Sequence, residues 1–118
     1  MAAKSKLDLK ALRKQLEQRR SQLLDTTELT SSDRRPVELD QSMQGRLSRI
    51  DALQQREMAL ATQRRREIEL VRIDAALKRI DKDDYGYCAS CDEDIAAGRL
   101  KSDPAEPLCV ECATEARR

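Results

Sequence analysis

Histidine, phenylalanine and tryptophan are all absent from this 118-residue chain, and Tyr85 and Tyr87 are its only aromatics. Each absence excludes something. Without histidine the side chain that most often serves as general base at neutral pH is missing. The three glycines, Gly45, Gly86 and Gly98, are too scattered to build a phosphate-cradling loop. With so few aromatics, a compact core of the usual kind has lost much of its normal buried area. No apolar run approaches the roughly 20 residues needed to cross a bilayer. Met1–Lys10 carries three lysines and no apolar run, so it does not read as a secretory signal, and a cytoplasmic location is expected. No catalytic residue can be nominated, and an enzyme is not expected.

What is present is charge and aliphatic periodicity. Charged residues make up 38% of the chain, and abundant Ala, Glu, Arg, Lys and Leu fit long helices that pack along a seam. Leu9, Leu12, Leu16 and Leu23 recur at three- and four-residue steps, with Arg19 at the one expected position that is not apolar. Ser5-x-x-Asp8 is a helix-start signal, so a first helix is expected from about Ser5 to about Leu29. Thr26–Pro36 breaks the pattern with side chains that compete for local backbone hydrogen bonds, and Pro36 disfavours a helical Arg35. A second helix is expected to start between Asp40 and Arg46 and to run to about Lys82. Leu47, Ile50 and Leu53 form one stripe on it, and Leu70, Ile73, Leu77 and Ile80 another. Thr62–Glu67 interrupts the two, and the apolar face is expected to shift there. The fold class is therefore mainly α: residues 1–82 form an antiparallel coiled-coil helical hairpin with its turn near 30–45. Residues 83–118 form a small four-cysteine module with a short C-terminal helix. Ile95, Leu100, Leu108, Val110, Tyr85 and Tyr87 are its candidate core.

The four cysteines are Cys88, Cys91, Cys109 and Cys112, two C-x-x-C pairs separated by seventeen residues. That spacing is one read as a four-cysteine zinc site. Two ligands three residues apart chelate from one tight knuckle, and two knuckles complete a tetrahedral shell. The competing uses are weaker. Disulfides rarely persist in a reducing cytosol, and a thioredoxin-like motif needs a βαβ pattern that is not present. One structural zinc ion is expected. A closed four-thiolate shell leaves no position for a substrate.

Charge is divided unevenly. Residues 1–51 carry eleven basic and eight acidic groups, net +3; residues 52–82 carry eight and five, again +3; residues 83–118 carry four and nine, net −5. A zinc finger that grips nucleic acid needs Lys and Arg facing phosphates. This module presents Asp92, Glu93, Asp94, Asp103 and Glu106, so direct sequence-specific DNA binding is not expected. Near the hairpin turn lie Glu38, Asp40 and, further on, Asp51. They are candidates for a partner-binding tip, although Glu38 and Asp40 can equally cap the second helix and Asp51 can be a solvated surface residue. The run Arg64, Arg65 and Arg66 reads as a solvated face rather than a site.

The stretch Ile73–Cys112 resembles the DksA/TraR family of four-cysteine zinc-finger proteins. The shared features are an apolar helix ending in acids, the run Tyr85-Gly86-Tyr87-Cys88, Ile95, the Arg99-Leu100 pair, a proline and the second cysteine pair. The resemblance implies a cytoplasmic bacterial regulator that binds RNA polymerase rather than promoter DNA. It also implies a hairpin inserted through the polymerase's secondary channel, acidic tip residues near the active centre, and the finger as structural base. It names ppGpp as a candidate co-effector, and a monomer is expected. Three features depart from the family pattern. Asp92 stands where glycine is common. The tip pattern of two aspartates three apart, with alanine two beyond the second, is not found. The chain is also shorter than full-length members, mostly before the first helix. A zinc-stapled helical adaptor for another cytosolic protein is the alternative reading.

Overall fold

In the computed structural model the described residues are 8–37 and 46–117. Among them there is no strand; the elements are helix α1 (Leu9–Leu29), a 3-10 turn (Ser31–Arg34), α2 (Arg46–Asp81), α3 (Ala97–Ser102) and α4 (Val110–Ala116). The molecule is 67 Å along its longest axis and 20 Å along its shortest. That length comes mostly from α2, whose 36 residues span about 54 Å at 1.5 Å per residue.

Each boundary has a local cause. The N-cap of α1 is Asp8, whose carboxylate accepts the Ala11 N–H at 3.1 Å. Ser5 lies outside the described residues. Thr30 closes α1, its hydroxyl donating to the Thr26 carbonyl at 2.7 Å. Arg35 then turns extended (φ −67°, ψ 151°), as a residue before proline should. The end of α2 is a Schellman motif: Asp83 adopts a left-handed φ of 59°, the Asp84 N–H returns to the Arg79 carbonyl at 2.8 Å, and the Asp83 N–H reaches Ile80 at 3.3 Å.

The seam of the hairpin changes character along its length. At the end near the finger, Leu12, Leu16 and Leu23 of α1 are buried in one cluster with Ile73, Ala76 and Ile80 of α2, and Leu9, Leu70 and Leu77 pack against it. This is the leucine periodicity realised. Arg19, the polar interruption, stays at the surface and forks onto Glu69 at 2.6 and 3.0 Å. Further out the seam departs from the expected stripe. Ile50 and Leu53 remain 46% and 43% exposed. The face of α2 that meets α1 and the turn instead carries Gln63, the described chain's one buried polar side chain, and half-buried Arg56 and Arg66. The expected shift of face at Thr62–Glu67 is thus a switch to polar packing. Gln63 Nε2 donates to Thr27 Oγ1 at 3.1 Å, which satisfies an amide that would otherwise be costly to bury.

Candidate metal centre

The finger begins where α2 stops. Gly86, at φ 100°, lets the chain fold back so that its carbonyl accepts the Ile95 N–H at 2.8 Å. Tyr87 and Asp94 form an isolated antiparallel bridge. Between them lies the first knuckle. The Cys88 N–H reaches the Glu93 carbonyl at 2.7 Å, the Asp92 N–H reaches Cys88 at 3.0 Å, and the Ser90 N–H points at the Cys88 sulfur at 3.4 Å. Asp92 occupies the left-handed region at φ 63°, a conformation that aspartate tolerates better than most residues.

The second knuckle is the start of α4. Cys109 is its N-cap and Cys112 lies in its first turn. One backbone bond, Ala89 N–H to the Pro107 carbonyl at 2.8 Å, holds the two knuckles together. As a result the four sulfurs of Cys88, Cys91, Cys109 and Cys112 all lie within 4.8 Å of one another. A tetrahedral zinc with Zn–S bonds of about 2.3 Å requires sulfurs about 3.8 Å apart. Cys91 and Cys109 stand at 3.7 Å, far beyond the roughly 2.05 Å of a disulfide. The donor set therefore fits a metal.

Electrostatics agree with the geometry. Burial works against ionising Cys88, yet backbone hydrogen bonds at Cys109, Cys91 and Ser90 outweigh it and hold the thiol down at about 6. Cys112 is pushed up to about 12 by its contacts with the sulfurs of Cys109, Cys91 and Cys88. Sulfurs this close cannot all become thiolates without a central positive charge. A divalent cation supplies it.

The rest of the finger braces this centre. Tyr85, Ile95 and Leu100 are fully buried, with Ala105 beside them. The Tyr85 hydroxyl donates to the Pro104 carbonyl at 2.7 Å, and burial pushes its pKa up to about 12. Leu108 packs on this core, Tyr87 is half-buried, and Val110, expected inside, is 57% exposed because it opens α4 on the solvent side. Arg99 on α3 donates to the Leu108 carbonyl at 3.0 Å and pairs with Glu106. Helix α3 lies between the two cysteine pairs, just ahead of Pro104. Arg72, on α2, reaches Asp103 at 2.9 Å and Glu106 at 3.4 Å, which ties the hairpin to the finger.

The remaining candidates lie elsewhere. Asp51 is exposed on the second turn of α2, about 45 Å from the finger end of that helix at 1.5 Å per residue. Glu38 and Asp40 lie outside the described residues. Arg64 and Arg65 are exposed as a solvated face requires, but Arg66 turns into the seam.

These observations define a class: a helical hairpin standing on a four-cysteine finger that holds one structural zinc ion. Residues 83–118 match the model of the prokaryotic dksA/traR C4-type zinc finger. The finger is thus of the dksA/traR type over that stretch, which is under a third of the chain. It is 43% identical over 65 residues to the RNA polymerase-binding transcription factor DksA of Haemophilus influenzae, covering 53% of this chain and 45% of that protein. To the DksA of Escherichia coli strain K12 it is 38% identical over 65 residues, covering 53% and 43%. The matched stretch thus spans less than half the length of these curated relatives. The solved structure of transcription factor DksA2 from Pseudomonas aeruginosa superposes with a TM-score of 0.72 at 26% identity, covering 92% of this chain and 82% of that one. No described helix is long and apolar enough to cross a membrane.

Proposed function

We propose that this chain is a non-enzymatic regulator of transcription that binds RNA polymerase in the manner of DksA. Its hairpin enters the secondary channel and its finger serves as the base. The observation that carries this reading is the shared shape: the likeness to DksA2 extends over 92% of the chain and so includes the hairpin, not the finger alone. Relatives matched over 65 residues carry the name RNA polymerase-binding transcription factor. In this reading the hairpin comprises residues 1–82 and the finger residues 83–118, with Cys88, Cys91, Cys109 and Cys112 as the zinc ligands. Glu38, Asp40 and Asp51 are the acids nearest the polymerase active centre. The net charge of −5 on the finger disfavours a grip on phosphates. The protein acts in the cytoplasm, as a monomer, on the polymerase rather than on promoter sequence.

Zinc-loaded protein is expected to co-migrate with RNA polymerase core at micromolar concentration; free migration there would overturn the reading. Asp40→Asn and Asp51→Asn are expected to leave binding intact and weaken regulation in a transcription assay. If both are silent, the tip assignment is wrong. A second reading, a zinc-stapled adaptor, draws support from Ile68 and Val71, which face outward on α2 at 62% and 69% exposure. Sedimentation separates the two: a stable dimer favours the adaptor, a monomer the regulator.

A further inference from the structure

The outer half of the hairpin holds arginines in a way the inner half does not. Near the finger, Arg13, Arg19, Arg20 and Arg72 each reach a carboxylate. Further out, Arg34 donates from Nη1 to Thr30 Oγ1 at 2.9 Å and from Nη2 to the Thr27 carbonyl at 2.8 Å. Arg66 donates from Nη1 to the same Thr30 oxygen at 3.3 Å and to Gln63 Oε1 at 3.1 Å. Two guanidiniums therefore converge on one neutral hydroxyl. Among the described residues neither has a carboxylate within ion-pair distance. Both are half-buried, where water screens their mutual repulsion less than in bulk. Both border a notch of about 180 Å³, whose walls also include Asp33, Met58 and Thr62.

We propose that this notch is a docking point for an acidic side chain of a protein partner, an Asp or Glu carboxylate entering between Arg34 and Arg66. Arginine's planar fork matches a carboxylate, and an anion here removes the repulsion between the two cations. Three features select the occupant. The notch is smaller than the roughly 300 Å³ at which small-molecule pockets begin, so it takes a head group and not a nucleotide. Asp33 on its wall penalises a phosphate dianion more than a singly charged carboxylate. Met58, 69% exposed, offers the adaptable apolar rim common at protein interfaces. The inference deepens the preceding reading and rests on it insofar as the hairpin meets a protein.

The test is a titration of the isotope-labelled full chain with hexaglutamate peptide, following the arginine Nε–Hε resonances. Inorganic phosphate is titrated in parallel at matched ionic strength. Arg34 and Arg66 are expected to shift with the peptide and to respond less to phosphate. Arg34→Gln and Arg66→Gln, which keep an amide donor toward Thr30 and Thr27, are expected to abolish the shift. Asp33→Asn is expected to tighten binding severalfold, an outcome that loss of folding cannot imitate. A stronger response to phosphate, peptide shifts confined to Arg64 and Arg65, or no shift overturns the proposal. With RNA polymerase core as second probe, the double variant is expected to bind about tenfold or more weakly, the usual scale for lost charge-assisted bonds. Unchanged binding overturns the docking role and leaves the regulator reading standing. Wild-type protein that ignores polymerase but shifts with the peptide does the reverse.

Discussion

The two halves of the hairpin are built from the same two helices by different chemistry. Near the finger, leucines of α1 meet isoleucines of α2, and arginine–carboxylate pairs such as Arg13–Asp81 and Arg20–Asp74 line the edges. Toward the turn the seam is Thr27, Thr30, Gln63 and Arg66, joined by hydrogen bonds to neutral acceptors. An apolar seam gains free energy by losing water-exposed area. A polar seam gains little net stability and instead fixes register, because each buried donor must find its partner. The finger, with the inner half of the hairpin packed on it, is therefore the anchor, and the outer half holds two helices in alignment while keeping cations at a surface. Such a division suits a rod held at one end and read at the other.

The largest expected effect concerns the anchor. Structural zinc contributes about 10–16 kcal/mol in comparable peptides. The finger's own core is small: Tyr85, Ile95, Leu100 and Ala105. Chelation, or Cys88→Ser, is expected to unfold residues 83–117 while the hairpin persists. Helices α3 and α4 hold 13 residues against 57 in α1 and α2. Far-ultraviolet dichroism should therefore fall by a minority of its amplitude while the finger amides collapse in a heteronuclear NMR spectrum. A finger that keeps its dispersion after verified metal removal would refute the anchor role. Acid works the same way, since protons compete for the sulfurs that must be ionised to hold the metal.

Next in size is the contrast between the two seams. Leu16 is buried in the inner cluster and Leu53 is 43% exposed on the outer part of α2. Leu16→Ala is expected to cost about 2–5 kcal/mol, the usual range for a buried leucine. Leu53→Ala is expected to stay within about 0.5 kcal/mol, as surface substitutions do. Denaturant melts of both variants check this. Equal losses would mean that the outer apolar residues are packed as firmly as the inner ones, and the division of labour would fall.

How far these features were legible follows the same line. The inner seam and the metal centre were readable because period and spacing report directly on geometry: Leu12, Leu16 and Leu23 recur at helical steps, and two C-x-x-C pairs need only close together. The outer seam misled. Ile50 and Leu53 belong to an apolar stripe, but hydrophobicity does not reveal that Thr27 and Thr30 will stand opposite Gln63 and Arg66 and recruit them inward. That is a property of the pairing across 36 residues, which neither segment shows alone. The link from Arg72 to Asp103 and Glu106, 31 and 34 residues away, was hidden for the same reason. Helix α3 has six residues, too few for periodicity to emerge.

The smallest expected effect lies inside the anchor and has a pH signature. Tyr85 is buried, and its hydroxyl is held by the Pro104 carbonyl at 2.7 Å. Removing it in Tyr85→Phe leaves that carbonyl without its donor, at a cost of about 1 kcal/mol at neutral pH. The folded pKa, pushed up to about 12 by burial, lies above the unfolded value near 10. Between those two values the folded state binds more protons than the unfolded one, so stability is full below about pH 10 and falls as pH rises toward 12. The phenylalanine variant has no such proton to hold. Wild type and variant should therefore converge in stability and then cross as pH climbs through that window, with melting temperatures read at a fixed excess of zinc. Parallel curves from pH 9 to 12 would mean that Tyr85 ionises as freely folded as unfolded, and the tight core beneath the metal centre would have to be redrawn.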